Sequence, residues 1–348
     1  MQIRAEYLPG WLIMLAIAVV SVLISGMVVV GGKNPVEPAV LAIILGILLA
    51  NVGLIPEAGR EGIRVFETPL ILGIVLIGAG LDVATVVSQG VAMLTVVVGT
   101  MIIAFWSIYY LGKAFGLSQR LSLLLSVGTT ICGGTAIAVT APLIEAKEEE
   151  TSYAIGTIAL WGVVAMIVYP AIFRIVAPDA ETVFGLFAGV AVQSTPQAVG
   201  AGFIFSELAG DIATAVKLVR NTFIAPVAFA VAIWYAWWIA KQRAGETVEE
   251  AAEETVDRVN WIKGFPWFLF GYFVMVAMRS YGFFTEVAID SFTSAGKFLI
   301  LLGMAGIGLN TRFDAFKGIG GKPLVVGVIG AVILAAATLA LIRAFGIV

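Results

Sequence analysis

Eleven apolar stretches follow one another along this chain with short polar joints between them: residues 11–30, 38–55, 66–81, 90–111, 121–144, 152–176, 182–205, 212–240, 264–281, 292–309 and 323–345. Most reach the roughly 17 to 25 residues that a helix needs to cross a bilayer. The pattern predicts an all-α polytopic membrane protein with about 11 transmembrane helices. Composition agrees. Of the 348 residues, 60% are hydrophobic and 12% are charged, against about 25% charged in an average soluble domain. The first stretch is long enough to span, and no small-residue cleavage site follows it. It reads as a retained helix.

Positive residues set the orientation. With the N-terminus in the cytoplasm, 13 Lys and Arg fall on cytoplasmic joints and 5 on the opposite side. That split favours N-in, C-out, in the plasma (inner) membrane of a prokaryote. On this topology Arg120 and Arg174 lie inside, and the acidic run from Glu145 to Glu150 lies outside. Residues 241–263 read as a charged cytoplasmic linker within a single transmembrane domain over 1–348.

Two stretches are poor material for continuous helix. Residues 121–144 contain Gly128-Thr129-Thr130-Ile131-Cys132-Gly133-Gly134-Thr135. Glycine weakens a helix, while threonine hydroxyls can serve freed backbone groups. Residues 182–205 contain Gln193-Ser194-Thr195-Pro196-Gln197. Proline removes a backbone donor and clashes one turn back. Both stretches read as discontinuous helices of the kind that form transporter sites near mid-membrane. The alternatives are a small-residue packing face for the first and a proline-kinked helix with interhelical hydrogen bonds for the second.

Lys217 and Arg220 lie three apart in the eighth stretch, on one helix face. Ionisable residues at depth mark function by default, and two cations without an adjacent acid favour an anionic ligand. Snorkelling positions at a span end are the other reading. A repeat relates Gly78-Ala79-Gly80-Leu81-Asp82 to Gly306-Ile307-Gly308-Leu309-Asn310 at an offset of 228. The two copies are expected to run in opposite directions, as inverted repeats do. Asp82 and Asn310 occupy equivalent places in it, with coupling or capping roles. Cys132 sits in the first broken stretch, where a lone thiol is commonly a packing residue.

The chain contains no histidine and a single cysteine. His-ligated metal, His bases and a disulfide framework are excluded, and neither metal nor cofactor is expected. No basic patch points to nucleic acid. A Ser194–Lys217 hydrolytic pair is the residual enzymatic reading, so the chain is expected not to be an enzyme.

The run Gly-Thr-Thr-Ile-Cys-Gly-Gly-Thr-Ala-Ile-Ala from Gly128 to Ala138, and the segments through Tyr169-Pro170-Ala171-Ile172 and from Lys217 to Pro226, resemble the sulfate exporter family. These are prokaryotic inner-membrane proteins long described as conserved hypothetical. The resemblance covers most of the chain. It implies an architecture related to cation/proton antiporters and bile-acid transporters, in which a core domain with two crossed broken helices moves against a scaffold, often in a dimer. The chain departs from the family's V-H-[ED]-x-x-Q-[VA] motif: Gln193 stands at the usual histidine, Ser194 at the usual acid, and Gln197 is retained.

The reading that unites these features is a secondary transporter of a small anion such as sulfate or a sulfonate, working by elevator-like alternating access as a homodimer in the lipid bilayer. Gly128, Thr129, Thr130, Cys132, Gly133, Gly134, Thr135, Gln193, Ser194, Thr195 and Gln197 are the expected substrate contacts, with Lys217 or Arg220 as counter-charge. H⁺ or Na⁺ is the possible coupling ion. The rivals are a cation/proton antiporter of the same fold and a membrane sensor without flux.

Overall fold

The computed structural model describes residues 5–27, 38–80, 90–242, 268–316 and 320–347. Asp82 and nearly all of the charged linker, from residue 243 on, lie outside the described residues. The described chain is helical throughout. We number its helices α1 (Leu8–Met27), α2 (Pro38–Val52), α3 (Glu57–Arg64), α4 (Glu67–Ile77), α5 (Gly90–Ala114), α6 (Gln119–Thr130), α7 (Gly134–Leu143), α8 (Glu148–Val176), α9 (Glu181–Ala191), α10 (Thr195–Phe205), α11 (Glu207–Asn221), α12 (Ile224–Gln242), α13 (Phe268–Ser280), α14 (Glu286–Asn310) and α15 (Gly321–Ala344).

The fold is an all-α polytopic membrane fold. Among the described residues, seven helices or kinked helix pairs are long and apolar enough to cross a membrane: Ala5–Met27, Glu57–Gly80, Gly90–Ala114, Glu148–Val176, Glu207–Tyr235, Glu286–Asn310 and Gly321–Ala344. Shorter helices occupy the other four apolar stretches.

The two stretches expected to be discontinuous are broken, and each break reverses the chain. The start of α6 lies beside the end of α7: Arg120 Nε donates to the Ile144 carbonyl at 3.1 Å, Arg120 pairs with Glu145 at 3.7 Å, and the Ser118 hydroxyl donates to Glu150. The start of α9 lies beside the end of α10 in the same way. The Phe184 and Phe205 rings stack at 4.4 Å, and Arg174, on the preceding helix, donates to the Ile204 carbonyl at 2.6 Å. Both stretches are therefore re-entrant hairpins of two half-helices, and neither traverses the bilayer as a crossing helix would. The sequence reading separated Arg120 from Glu145, and Arg174 from Phe205, by a full crossing; that is corrected here. The physical reason is length. Helices of 12 and 11 residues rise about 18 Å, roughly half a bilayer. On the expected topology, Lys147 and Arg174 would then exchange sides and the split of positive charges would keep its ratio.

Two packing units emerge. In one, α14 lies along α2 and α4, with α1, α3 and α13 beside them; in the other, both hairpins pack on α8, the second also packs on α11, and α5, α12 and α15 flank them. Helices α4 and α14, which carry the repeated glycine segments, run antiparallel: Gly303 meets Leu70 while Gly296 meets Gly73 and Ile77. Backbone contact between α2 and α14 is close: a Cβ on Gly46 would sit 2.8 Å from both Ala305 O and Leu309 N. Backbone cannot yield as a side chain does. Gly46→Ala is expected to cost about 1–3 kcal/mol through overpacking, read as a lower melting temperature in detergent. An unchanged melting temperature would show that α2 and α14 can separate freely.

Candidate functional site

The two hairpins enter from opposite ends of α8, a 29-residue helix that joins them, and their tips meet. Each tip is set by its local sequence. In the first, Gly133 adopts φ 75° and ψ −125° before α7 begins, a conformation that side chains make costly. In the second, Ser194 is extended, and Pro196 stands in the first turn of α10, where a missing N–H is tolerated. A Cβ on Gly133 would lie 3.4 Å from Ser194 Cα, so the tips are in contact.

Each tip presents two helix ends of opposite character. The carbonyls closing α6 and α9 form negative ends; the first-turn N–H groups of α7 and α10 form positive ones. Helix α11 supplies partners for the negative ends. Lys217 Nζ donates to Ile131 O at 3.0 Å, to Val192 O at 2.8 Å and to Gln193 O. Arg220 Nε donates to Thr130 O at 2.5 Å, its Nη2 to Thr129 O at 2.6 Å and its Nη1 to Val190 O. Both side chains are fully buried. Each reaches both hairpins, so two cations from one helix staple the tips together. Among the described residues, neither forms an ion pair with an acid.

The positive ends face a cavity of about 280 Å³. On one wall stand Cys132, Gly134 and Thr135 of the first tip, and Ser194, Thr195, Pro196 and Gln197 of the second. Asn221, Ile224 and the middle of α8 complete that side; α4 and the end of α14 form the opposite wall. The site thus lies between the two packing units. Three polar side chains fix its geometry. Gln197 Nε2 donates to Ala159 O at 3.1 Å, Asn221 Nδ2 donates to Thr195 Oγ1 at 3.1 Å, and Asn310 Nδ2 holds Ile63 O at 2.9 Å. Gln197 Oε1 and Asn221 Oδ1 are buried without a partner, although buried polar atoms are normally satisfied.

The structure brings Cys132, Gly134, Thr135, Ser194, Thr195, Gln197 and Asn310 to the cavity and leaves the other expected residues that it describes outside the lining. The Thr130 hydroxyl returns to Ser126 O at 2.7 Å within α6. Gly128 leaves room for Ile137 of the returning half-helix. Thr129 contributes its carbonyl to Arg220. Gln193 is fully buried, and both of its amide atoms lack a partner. Lys217 and Arg220 act on the cavity through the tips. Asn310 caps: it bonds Gly306 O in its own helix and Ile63 O at the α3–α4 break.

Two lining residues escaped sequence reasoning. Asn221 is an uncharged residue next to Arg220 and carries little signal of its own in the sequence. Glu67 was passed over, although it lies one residue inside the third apolar stretch, where an acid is expensive. It is exposed on the α4 wall of the cavity and makes no ion pair among the described residues. The signal was therefore present in the sequence.

Comparison with known proteins places this sequence among membrane proteins. A family profile described as "Conserved hypothetical protein 698" matches residues 9–327. A UPF0324 membrane protein of Clostridium tetani is 32% identical over 325 residues, covering 93% of each chain. One from Listeria monocytogenes is 31% identical over 311 residues, covering 88% of this chain and 87% of its own. A third, from Bradyrhizobium diazoefficiens, is 28% identical over 343 residues, covering 98% of this chain and 94% of its own.

Proposed function

This chain belongs to the conserved hypothetical protein 698 family of membrane proteins, and we propose that it is a secondary transporter of a small anion. One observation carries the reading. The partial charges of the four helix ends at the tips cancel in pairs, and the buried Lys217 and Arg220 are left over. A binding site backed by two fixed cations in a low-dielectric interior attracts an anion strongly. The first-turn N–H groups of α7 and α10 supply directional contacts, as helix N-termini do for anions. A volume of about 280 Å³ suits an oxyanion the size of sulfate or a small sulfonate.

The site's position between two packing units supports alternating access by displacement of the stapled hairpin unit, in an elevator-like manner. The chain works as a homodimer in the prokaryotic plasma membrane with its N-terminus cytoplasmic. Hydrolytic chemistry is no part of the proposal, because Lys217 is fully committed to carbonyls and no histidine exists.

A thermal-shift panel on purified protein tests the reading. Sulfate or methanesulfonate is expected to raise the melting temperature, while Na⁺ and K⁺ leave it unchanged. Gln197→Leu is expected to weaken sulfate binding about tenfold, the scale of one hydrogen bond to a charged ligand. Coupled proton flux driven by Na⁺ or K⁺ gradients in liposomes, with no anion effect, would instead establish the cation/proton antiporter. Anion binding without flux would make the chain a sensor.

A further inference from the structure

We propose that the Glu67 carboxylate takes up one proton when the transported anion binds in the cavity it lines, so that each anion is carried with one proton. The inference rests on the anion site described above and names its coupling ion.

Among the described residues that line the cavity, Glu67 is the sole carboxylate. It stands on α4, in the packing unit opposite the tips, and lines the same cavity as the α7 and α10 N-termini. An anion at the α7 and α10 N-termini places a second negative charge in the cavity that Glu67 lines. Like charges sharing a site favour protonation of one of them. The proton comes from the aqueous side to which the cavity opens, and it leaves when the anion leaves. No bond other than the carboxyl O–H is made or broken.

Among the described residues of the lining, Glu67 is the carboxylate able to respond; Asp211 on α11 and Tyr272 on α13 are titratable but lie outside that lining. On α3, Arg64 pairs with Glu61 at 2.7 Å and Arg60 with Glu57 at 3.5 Å, both exposed. On α14, Lys297 pairs with Glu207 at 2.7 Å, and Glu286 pairs with Arg279 of α13 at 3.3 Å. Asp290 lies in the first turns of α14, some 20 residues from its cavity end. Beyond α14, Arg312 pairs with Asp314 at 3.8 Å. On α8, the Tyr153 hydroxyl is engaged by Glu149 at 2.7 Å, and Tyr169 donates to Ala331 O at 3.4 Å. Within the lining itself, Cys132 is the one other titratable side chain.

The test is calorimetric titration of the purified full-length protein with sulfate and with methanesulfonate. Neither anion changes charge between roughly pH 5 and pH 8, so any pH dependence belongs to the protein. For the wild type, Kd is expected to rise about tenfold per pH unit across the window of proton uptake. Titration in buffers of different ionisation enthalpy should count close to one proton absorbed per anion. Glu67→Gln is expected to bind with the low-pH affinity at every pH and to absorb no proton. A flat wild-type profile with no proton uptake would overturn the assignment, whether or not any variant folds. A slope that survives Glu67→Gln but vanishes in Cys132→Ser would overturn it in favour of the thiol. Failure of the wild type to bind either anion at any pH would overturn the anion site itself.

Discussion

Arg220→Ala is expected to prevent recovery of a monodisperse protein in detergent, the largest effect of any single side-chain truncation in this chain. The guanidinium satisfies Thr129 and Thr130 in one hairpin and Val190 in the other, and it is fully buried. Each carbonyl orphaned at depth costs about 1–3 kcal/mol. Three together approach the whole stability of an ordinary domain, about 5–15 kcal/mol. Arg220→Lys should rescue partially, because one ammonium cannot span both hairpins as a planar fork does. The measurement is size-exclusion profile and melting temperature for both variants. An Arg220→Ala protein that runs as a single species and melts with the wild type would show that the tips stand without the staple.

Gly162→Ala has the opposite signature: function lost, fold kept. A Cβ at Gly162, in the middle of α8, would overlap the Gln197 amide oxygen. The obstructing atom is the far end of a flexible side chain, so the structure can yield by swinging the amide away. The amide then leaves Ala159 O and no longer forms the wall of the cavity. Sulfate affinity is expected to fall by about ten- to a hundredfold, the worth of one to two hydrogen bonds to a charged ligand. The melting temperature should stay near that of the wild type. Equal losses of stability and affinity would mean that the amide is a packing element with no separate part in binding.

Much of this was legible before any coordinates. The all-α membrane fold follows from the apolar stretches, and the two breaks from Gly133 and Pro196. Hydropathy could not tell a span from a hairpin, since 24 apolar residues satisfy either. The missing information lay in the flanks. Arg120 and Glu145 stand at the two ends of one apolar stretch, and their pairing is possible only if the chain turns back. Lys217 and Arg220 were recognisable as important from charge at depth alone. Their task was not, because carbonyl acceptors belong to the backbone and leave no mark in side-chain identity. Gln193 remains the least explained of the expected residues: the structure buries it beside the crossing, where nothing among the described residues uses its amide.

The staple also dictates an order of assembly. The carbonyls of Thr129 and Thr130 wait for Arg220, 91 and 90 residues further along the chain. During synthesis, the first hairpin therefore enters the membrane with its tip incomplete, and it stays so until α11 has emerged and inserted. A nascent chain stopped after Phe205 carries both hairpins and neither cation. Such a chain is expected to hold its hairpins at the water boundary, where solvent serves the open carbonyls, and to drive them to depth only once α11 arrives.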